Sequence, residues 1–395
     1  MDKDTKLPRR RLLQAAAIAG GLPLLQSAYS SMPAAAAETS EFTPYPIRND
    51  LKPTGTGSAK TTIGSGPVRI AVLDDPMRLV AKLSDWAPVT GRATVDIYHD
   101  HIYNQDALAR RLAPYDIIVM ERYRTPIRAE VIAKLPKLKF VVATGADFSE
   151  FLDLPQCKKQ NIQVSSAGGG GVPGGGGVEE VAWALTMDLA RQVTWHNNDM
   201  HAGKWQIRPS NGLGGKTVGC VGLGNQGLKM VQFAKAFRMK TVAWSMNMTD
   251  KQATDGGSTR VEFKDLLAQS DFVIINYRYG ERSHHLFKAE HFAQMKPTAY
   301  LVNTSRGPVV DETAMLAALK SKRIAGAGLD VFGVEPLPTN HPFVGMDNVI
   351  MTPHIGYPTV ESVQVMYARA VESLVAYLDG KPIRLLDLDK KYGET

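Results

Sequence analysis

From residue 68 onward, short runs of aliphatic and β-branched residues alternate with longer stretches whose apolar positions recur every three or four residues. The runs at 68–73, 95–99, 117–120, 140–143 and 162–164 predict strands, and the stretches around 77–84, 105–112, 126–135 and 149–159 predict helices. A second series of strands follows at 218–223, 241–244, 272–276, 300–303, 325–329 and 349–352. An amphipathic helix over 178–192 leads into that series, and a last helix runs from about 359 to 378. Parallel strands need crossovers of about a dozen residues, which amphipathic helices supply, so the alternation implies parallel sheets covered on both faces. The fold class expected is α/β, with two doubly wound parallel-sheet domains. Between the two series, residues 168–177 hold eight glycines around Val172 and Pro173. The composition favours a flexible connector there. A hinge is the sharper alternative, since glycine absorbs large backbone changes when domains close.

Residues 1–66 stand outside the alternation. Arg9, Arg10 and Arg11 precede Leu12 and Leu13, an uncharged apolar stretch fills 15–25, and alanines accumulate at 34–37. This order reads as a signal peptide over 1–37, of the twin-arginine type that exports folded proteins. Residues 38–66, rich in Thr, Pro, Gly and Ser, read as a disordered linker. The localisation expected is periplasmic, or cytoplasmic if the arginines belong to a merely basic N-terminus. The stretch at 15–25 is too short to cross a bilayer, and no longer apolar run appears, so no membrane span is expected in the mature chain.

Composition narrows the function. Of 395 residues, 44% are hydrophobic and 22% charged, near globular averages. The net charge is +7, but 1–36 contain five of the basic and two of the acidic residues. The remainder carries 41 basic against 37 acidic residues, too small an excess for a nucleic-acid-binding stripe. Cys157 and Cys220 are the only cysteines, which excludes a disulfide framework and a cysteine-based zinc site.

The sequence Gly222-Leu223-Gly224-Asn225-Gln226-Gly227 follows a predicted strand and opens a predicted helix. In that setting the first glycine permits a tight turn and the second lets backbone approach a pyrophosphate. The third lets helix and strand pack closely, and the helix N-terminus meets the negative charge. The second domain is therefore expected to be a Rossmann dinucleotide-binding domain. An acid commonly ends the next strand, where it holds the adenine ribose. Here Ser245 stands in that place, with Arg278 at the exit of a neighbouring strand. A serine does not repel a 2′-phosphate, so the cofactor is NAD or NADP.

Three later strand ends carry the chemistry: Asn303-Thr304-Ser305-Arg306-Gly307, Leu329-Asp330-Val331-Phe332-Gly333-Val334-Glu335-Pro336, and Thr352-Pro353-His354-Ile355-Gly356. In a doubly wound sheet all three lie at one carboxyl edge, beside the cofactor crevice. One cation, one carboxylate and one imidazole converge there. Reduction of a keto acid needs those types: an arginine for the carboxylate and carbonyl, and a proton donor for the oxygen that gains charge. A carboxylate beside an imidazole favours its protonated form. No two His, Asp or Glu residues in these segments have tight metal-site spacing, so no metal is expected.

These segments resemble the D-isomer-specific 2-hydroxyacid dehydrogenase family over roughly 68–385. The matching stretches are Val221-Gly222-Leu223-Gly224, Met295-Lys296-Pro297, Asn303 to Glu312 and Gly328 to Phe332. The resemblance implies hydride transfer between a nicotinamide cofactor and C2 of a 2-hydroxy or 2-keto acid, in a homodimer. It implies a flavodoxin-like substrate domain over 67–167, completed by 354–386, around a Rossmann domain over 168–353. Arg306 would hold substrate together with Gly145 and Ala146, Glu335 would pair with the histidine, and His354 would donate or accept the proton. Cofactor contacts would fall at Gly222, Gly224, Asn225, Gln226, Gly227, Ser245, Ser283, Thr304, Ser305, Arg306 and Asp330, and along 354–357, His354 and Gly356 included. Formate dehydrogenases of the family carry glutamine where Glu335 stands, which disfavours that activity. Ser245, Arg278 and the glycine run depart from the family pattern. Two rival readings keep the fold: a catalytically silent nucleotide-sensing protein, and an oxidoreductase whose cofactor stays permanently bound.

Overall fold

The structure is a computed structural model that describes residues 60–122, 124–145, 151–168 and 177–389. The predicted export signal, residues 38–59 of the linker, Ala146 and residues 169–176 of the glycine run lie outside the described residues.

The first sheet contains β1 (Lys60–Ile63), β2 (Val68–Val72), β3 (Ala93–Tyr98), β4 (Ile117–Met120), β5 (Phe140–Ala143) and β6 (Gln163–Ser166), in the order β1-β3-β2-β4-β5-β6. Strands β2 to β6 are parallel and follow the flavodoxin-like order. Ile70 and Val72 face one cluster of buried side chains while Ala71 and Leu73 face another, so both sheet faces are covered. The first face is covered by helix Val360–Leu378, which buries Val363, Met366, Tyr367, Ala370 and Leu374 against it. Thr359 caps that helix by accepting from the Ser362 amide.

One expectation needs correction. Residues 60–63 are not linker but an edge strand, antiparallel to β3 with Lys60 opposite Tyr98 and Ile63 opposite Val95. The sequence Lys-Thr-Thr-Ile is β-branched at three of its four positions, which suits an edge with one half-buried face. Thr62 donates to Asp96, and Lys60 Nζ lies 3.0 Å from the same carboxylate. The opposite edge is also paired: the Leu386 amide donates to Val164 O, the Ser166 amide donates to Arg384 O, and Ser165 bridges Leu385. The helix expected over 149–159 begins only at Leu154, where Asp153 accepts from the Gln156 amide. The structure adds a helix that the apolar pattern did not predict, Val193–His201.

The second sheet is wholly parallel. It contains β7 (Thr217–Val221), β8 (Lys240–Trp244), β9 (Thr259–Arg260), β10 (Phe272–Ile275), β11 (Tyr300–Asn303), β12 (Gly326–Leu329) and β13 (Val349–Met351), in the order β13-β12-β11-β10-β7-β8-β9. This is the Rossmann order with an added outer strand. Its strand order reverses between β7 and β10, where the carboxyl ends diverge and open a crevice. The two doubly wound α/β domains expected from the sequence are thus both present.

Helix Val360–Leu378 lies far along the chain from the sheet it covers, so its packing can be tested directly. Leu374 is fully buried against that sheet, and Leu374→Ala is expected to cost about 2–5 kcal/mol. A urea midpoint equal to that of the parent protein would show that this helix contributes no core.

Candidate active site

Strand β7 ends at Val221 and the chain turns through Gly222, at φ +94, into helix Asn225–Ala236. A Cβ on Gly222 would stand 2.8 Å from the Asn276 carbonyl oxygen, and one on Gly227 would stand 2.2 Å from the Gly222 carbonyl oxygen. Both positions therefore require glycine, one for the turn and one for helix–strand contact. Gly224 has no neighbouring atom within 4 Å of its Cβ direction, which leaves the helix N-terminus open to a ligand. Asn225 and Gln226 stand in the first helical turn.

A groove of about 550 Å³ runs from Leu223 and Gly224 to Ser245, Asn247 and Met248. Ser245 lines this groove beyond the helix N-terminus. Asp255 also lines this groove, but its carboxylate is paired with Lys251 at 2.6 Å. At the β11 exit, the Thr304 hydroxyl is buried and has no hydrogen-bond partner among the described residues. An open helix N-terminus, a groove beyond it and an unsatisfied buried hydroxyl fit a dinucleotide lying across this edge. Ser305 is fixed beside it, its amide on Asn303 Oδ1 at 3.0 Å and its hydroxyl on the Tyr277 carbonyl. Ser283 is bonded within its own loop. Its hydroxyl accepts from the Gly280 amide at 2.9 Å and donates to Arg278 O at 2.8 Å, so it braces its own loop.

His354 and Glu335 are in contact, and Arg306 is near enough to act on the Glu335 carboxyl. His354 Nδ1 lies 2.6 Å from Glu335 Oε2, and the other oxygen of that carboxylate accepts from the Phe332 amide at 2.9 Å. Burial pushes the Glu335 carboxyl up. The neighbouring His354, the Phe332 amide and Arg306 outweigh burial and hold it below the usual carboxylate range. A carboxylate accepting at Nδ1 fixes the proton there and leaves Nε2 for exchange. Arg306 is oriented by its own turn: Nη1 donates to Ser305 O at 2.8 Å, and its carbonyl accepts from Asn303 Nδ2 at 3.0 Å. Gly307 then lies directly on the Phe332 backbone, 2.0 Å from where its Cβ would be, so the arginine and glutamate segments touch without side chains between them.

Asp330 braces the segment that carries His354. It is 1% exposed, and its carboxylate accepts from the Thr352 hydroxyl at 2.6 Å and from the Ile355 and Gly356 amides at 2.8 and 3.0 Å. Burial pushes this carboxyl up, more than those bonds and His354 lower it. His354 sits at φ +54, the left-handed region, so Asp330 holds the turn that presents the imidazole. Gly145 is buried at the β5 exit.

Beside His354 opens a cavity of about 330 Å³, lined by Phe332, Leu337, Met351, Arg124 and Tyr357 among others. Arg124 comes from the β4 exit of the first domain. Sequence reasoning missed it, although the carboxyl-end rule that singled out Arg306 applies equally to β4. Tyr103 also went unnoticed, and its hydroxyl donates to the Pro336 carbonyl at 3.0 Å, next to Glu335. Among the described residues, no group of three or more His, Cys, Asp or Glu could hold a metal, and no helix is long and apolar enough to cross a membrane.

Comparison with known proteins agrees with this geometry. Residues 183–356 match the family described as D-isomer specific 2-hydroxyacid dehydrogenase, NAD binding domain. A glyoxylate reductase from Thermofilum pendens is 35% identical over 265 residues, spanning 65% of this chain and 76% of that protein. A hydroxypyruvate reductase from Blautia hydrogenotrophica is 29% identical over 317 residues, 77% of this chain and 95% of the relative. A crystal structure of a phosphoglycerate oxidoreductase from Vibrio cholerae superposes with a TM-score of 0.73 at 28% identity, covering 79% of this chain and 99% of that one. The chain belongs to the D-isomer-specific 2-hydroxyacid dehydrogenase family and is an NAD(P)-dependent oxidoreductase of 2-hydroxy and 2-keto acids.

Proposed function

We propose that Arg306, Glu335 and His354 are the catalytic residues of this oxidoreductase. The observation that carries the assignment is the 2.6 Å contact between His354 Nδ1 and Glu335 Oε2, with Arg306 near enough to lower the carboxyl. Arg306 binds the substrate carboxylate and polarises the C2 carbonyl, and Gly145 and Ala146 are substrate-contact candidates from the resemblance. When bound, the nicotinamide ring supplies the hydride that C2 gains. His354 gives the Nε2 proton to the carbonyl oxygen, and Glu335 stabilises the cation before transfer. In the oxidative direction His354 takes the hydroxyl proton. Gly222, Gly224, Gly227, Asn225, Gln226, Ser245, Thr304 and Ser305 form the dinucleotide site. The relatives named glyoxylate and hydroxypyruvate reductases support a small 2-keto acid as substrate.

The substrate domain is completed by the segment from residue 354, and the boundary at 353–354 is bridged by Asp330. Asp330 binds the amides of Ile355 and Gly356, which ties both residues to the Rossmann domain. A homodimer is supported by exposed apolar side chains on and after helix Val193–His201: Val193, Met200, Trp205 and Ile207 are 59, 54, 71 and 50% exposed. The arginines at 9–11 and the apolar stretch after them support export in the folded state, which lets the chain take up its dinucleotide before transit.

The direct experiment is oxidation of reduced dinucleotide, followed by absorbance, over a panel of 2-keto acids. Turnover with added dinucleotide separates this function from a silent sensor. It also excludes an enzyme whose nucleotide leaves only on denaturation. In that assay, His354→Ala is expected to lower kcat by about 10²–10⁴-fold while dinucleotide affinity stays within a few-fold. Unchanged turnover would remove His354 from the mechanism. Arg306→Lys should raise the KM for the keto acid sharply, because a point charge replaces a planar fork that matches a carboxylate. Equal KM values would place the substrate carboxylate elsewhere.

Cofactor choice is tested at Ser245. Since no acid ends β8, the parent protein should use NADP at least comparably to NAD. Ser245→Asp places a charge beside the 2′-phosphate, a repulsion of about 1–4 kcal/mol at effective dielectrics of about 80 to 20. That moves the kcat/KM ratio toward NAD by roughly five- to several-hundred-fold. A parent that already rejects NADP by about a thousandfold, or a ratio that the substitution leaves unmoved, would mean that Ser245 does not face the ribose.

A further inference from the structure

Two successive residues are held by different domains. The Gly356 amide donates to Asp330, at the β12 exit of the Rossmann sheet. One residue later, the Tyr357 hydroxyl donates to Glu121 Oε1 at 2.6 Å, at the β4 exit of the first domain. Glu121 is 5% exposed, and its second oxygen accepts from the Tyr367 hydroxyl at 2.7 Å. Arg124 adds a grip from the same strand exit, with Nη2 at 3.2 Å and Nε at 3.4 Å from the Tyr357 oxygen. The guanidinium of Arg122 stands 4.3 Å over the ring. The phenol therefore both donates to a buried carboxylate and accepts from a guanidinium. Burial and Glu121 push its own pKa well up, so it stays a hydroxyl throughout the working range.

The other side of this ring meets the imidazole. The His354 and Tyr357 rings are 5.7 Å apart between centroids and nearly perpendicular, at 86°. His354 is thus held between a carboxylate of the Rossmann domain, Glu335, and a phenol anchored in the first domain, and both rings face the same cavity. A phenylalanine would fill the same volume and make the same edge contact. What the hydroxyl adds is a fixed distance to Glu121 and Arg124.

We propose that Tyr357 is a positioning residue, whose hydroxyl, gripped by Glu121 and Arg124, sets the His354 imidazole against the substrate carried by the first domain. The inference rests on His354 being the proton donor. A general acid misplaced by about 1 Å loses on the order of 10²-fold in rate, which gives the tie its value.

The test compares Tyr357→Phe, Glu121→Gln and the double variant with the parent protein. Tyr357→Phe should lower kcat by about 10- to 100-fold. Dinucleotide affinity should stay within a few-fold, the thermal midpoint should fall because Glu121 loses a buried donor, and the limb of the kcat–pH profile that belongs to His354 should be displaced. Glu121→Gln, which keeps an acceptor but no charge, should lose less. It should cause no further loss in the Tyr357→Phe background, because both changes act on one bond. Retention of kcat within about twofold, an unmoved pH profile, or losses that multiply in the double variant would each overturn the proposal. If Tyr357→Phe does not fold, the kcat and pH profile of Glu121→Gln decide by the same criteria. His354→Ala is measured alongside: an active His354→Ala protein would fail the catalytic assignment itself. An inactive one beside an unimpaired Tyr357→Phe protein would fail only this inference.

Discussion

A carboxylate removed from water must be satisfied by donors inside the protein, and Asp330 meets that demand with a hydroxyl and two backbone amides from the segment that carries His354. The consequence reaches beyond one loop. Because the amides of Ile355 and Gly356 both point at Asp330, His354 is driven into a left-handed conformation that a histidine would not hold unaided. The imidazole is therefore placed by backbone geometry before any substrate arrives. Preorganisation of this kind lets a proton donor act without reorganising at the moment of transfer.

The neighbouring segments are braced in the same economical way. Gly307 rests on the Phe332 backbone, and the Phe332 amide points back at Glu335. Arg306, Glu335 and Asp330 therefore share one framework in which main chain touches main chain. The parallel sheet beneath supplies the rest, since β11, β12 and β13 end side by side at one edge.

Much of this was legible in the sequence because it obeys rules of period and position. Alternation of buried runs with amphipathic stretches gave both sheets, and the three glycines from 222 to 227 marked the phosphate turn. The positions of Arg306, Glu335 and His354 after strands marked the segments that the fold brings to one edge of the second sheet. What escaped notice lacks such a signature. Strand β1 is four residues long, too short for its alternation to stand out from a Thr- and Gly-rich surround. The bond from Tyr357 to Glu121 joins residues 236 positions apart, and no local pattern announces it. The role of Asp330 depends on burial and on which amides point inward, and both are products of the fold. Ser283 looks like a ligand-facing hydroxyl in sequence, yet its loop curls so that the oxygen satisfies its own backbone.

In the first sheet, β3 and β6 are both paired on their outer sides: residues 60–63 run antiparallel along β3, and residues 384–386 bond along β6. An unsealed rim offers a row of unpaired amides and carbonyls to any other extended chain, which is how sheets recruit one another into aggregates. Clipping either segment would uncover such a row along β3 or β6. These few residues at the margins thus protect the colloidal stability of the whole protein, although they lie far in the chain from the chemistry and contribute little to either hydrophobic core.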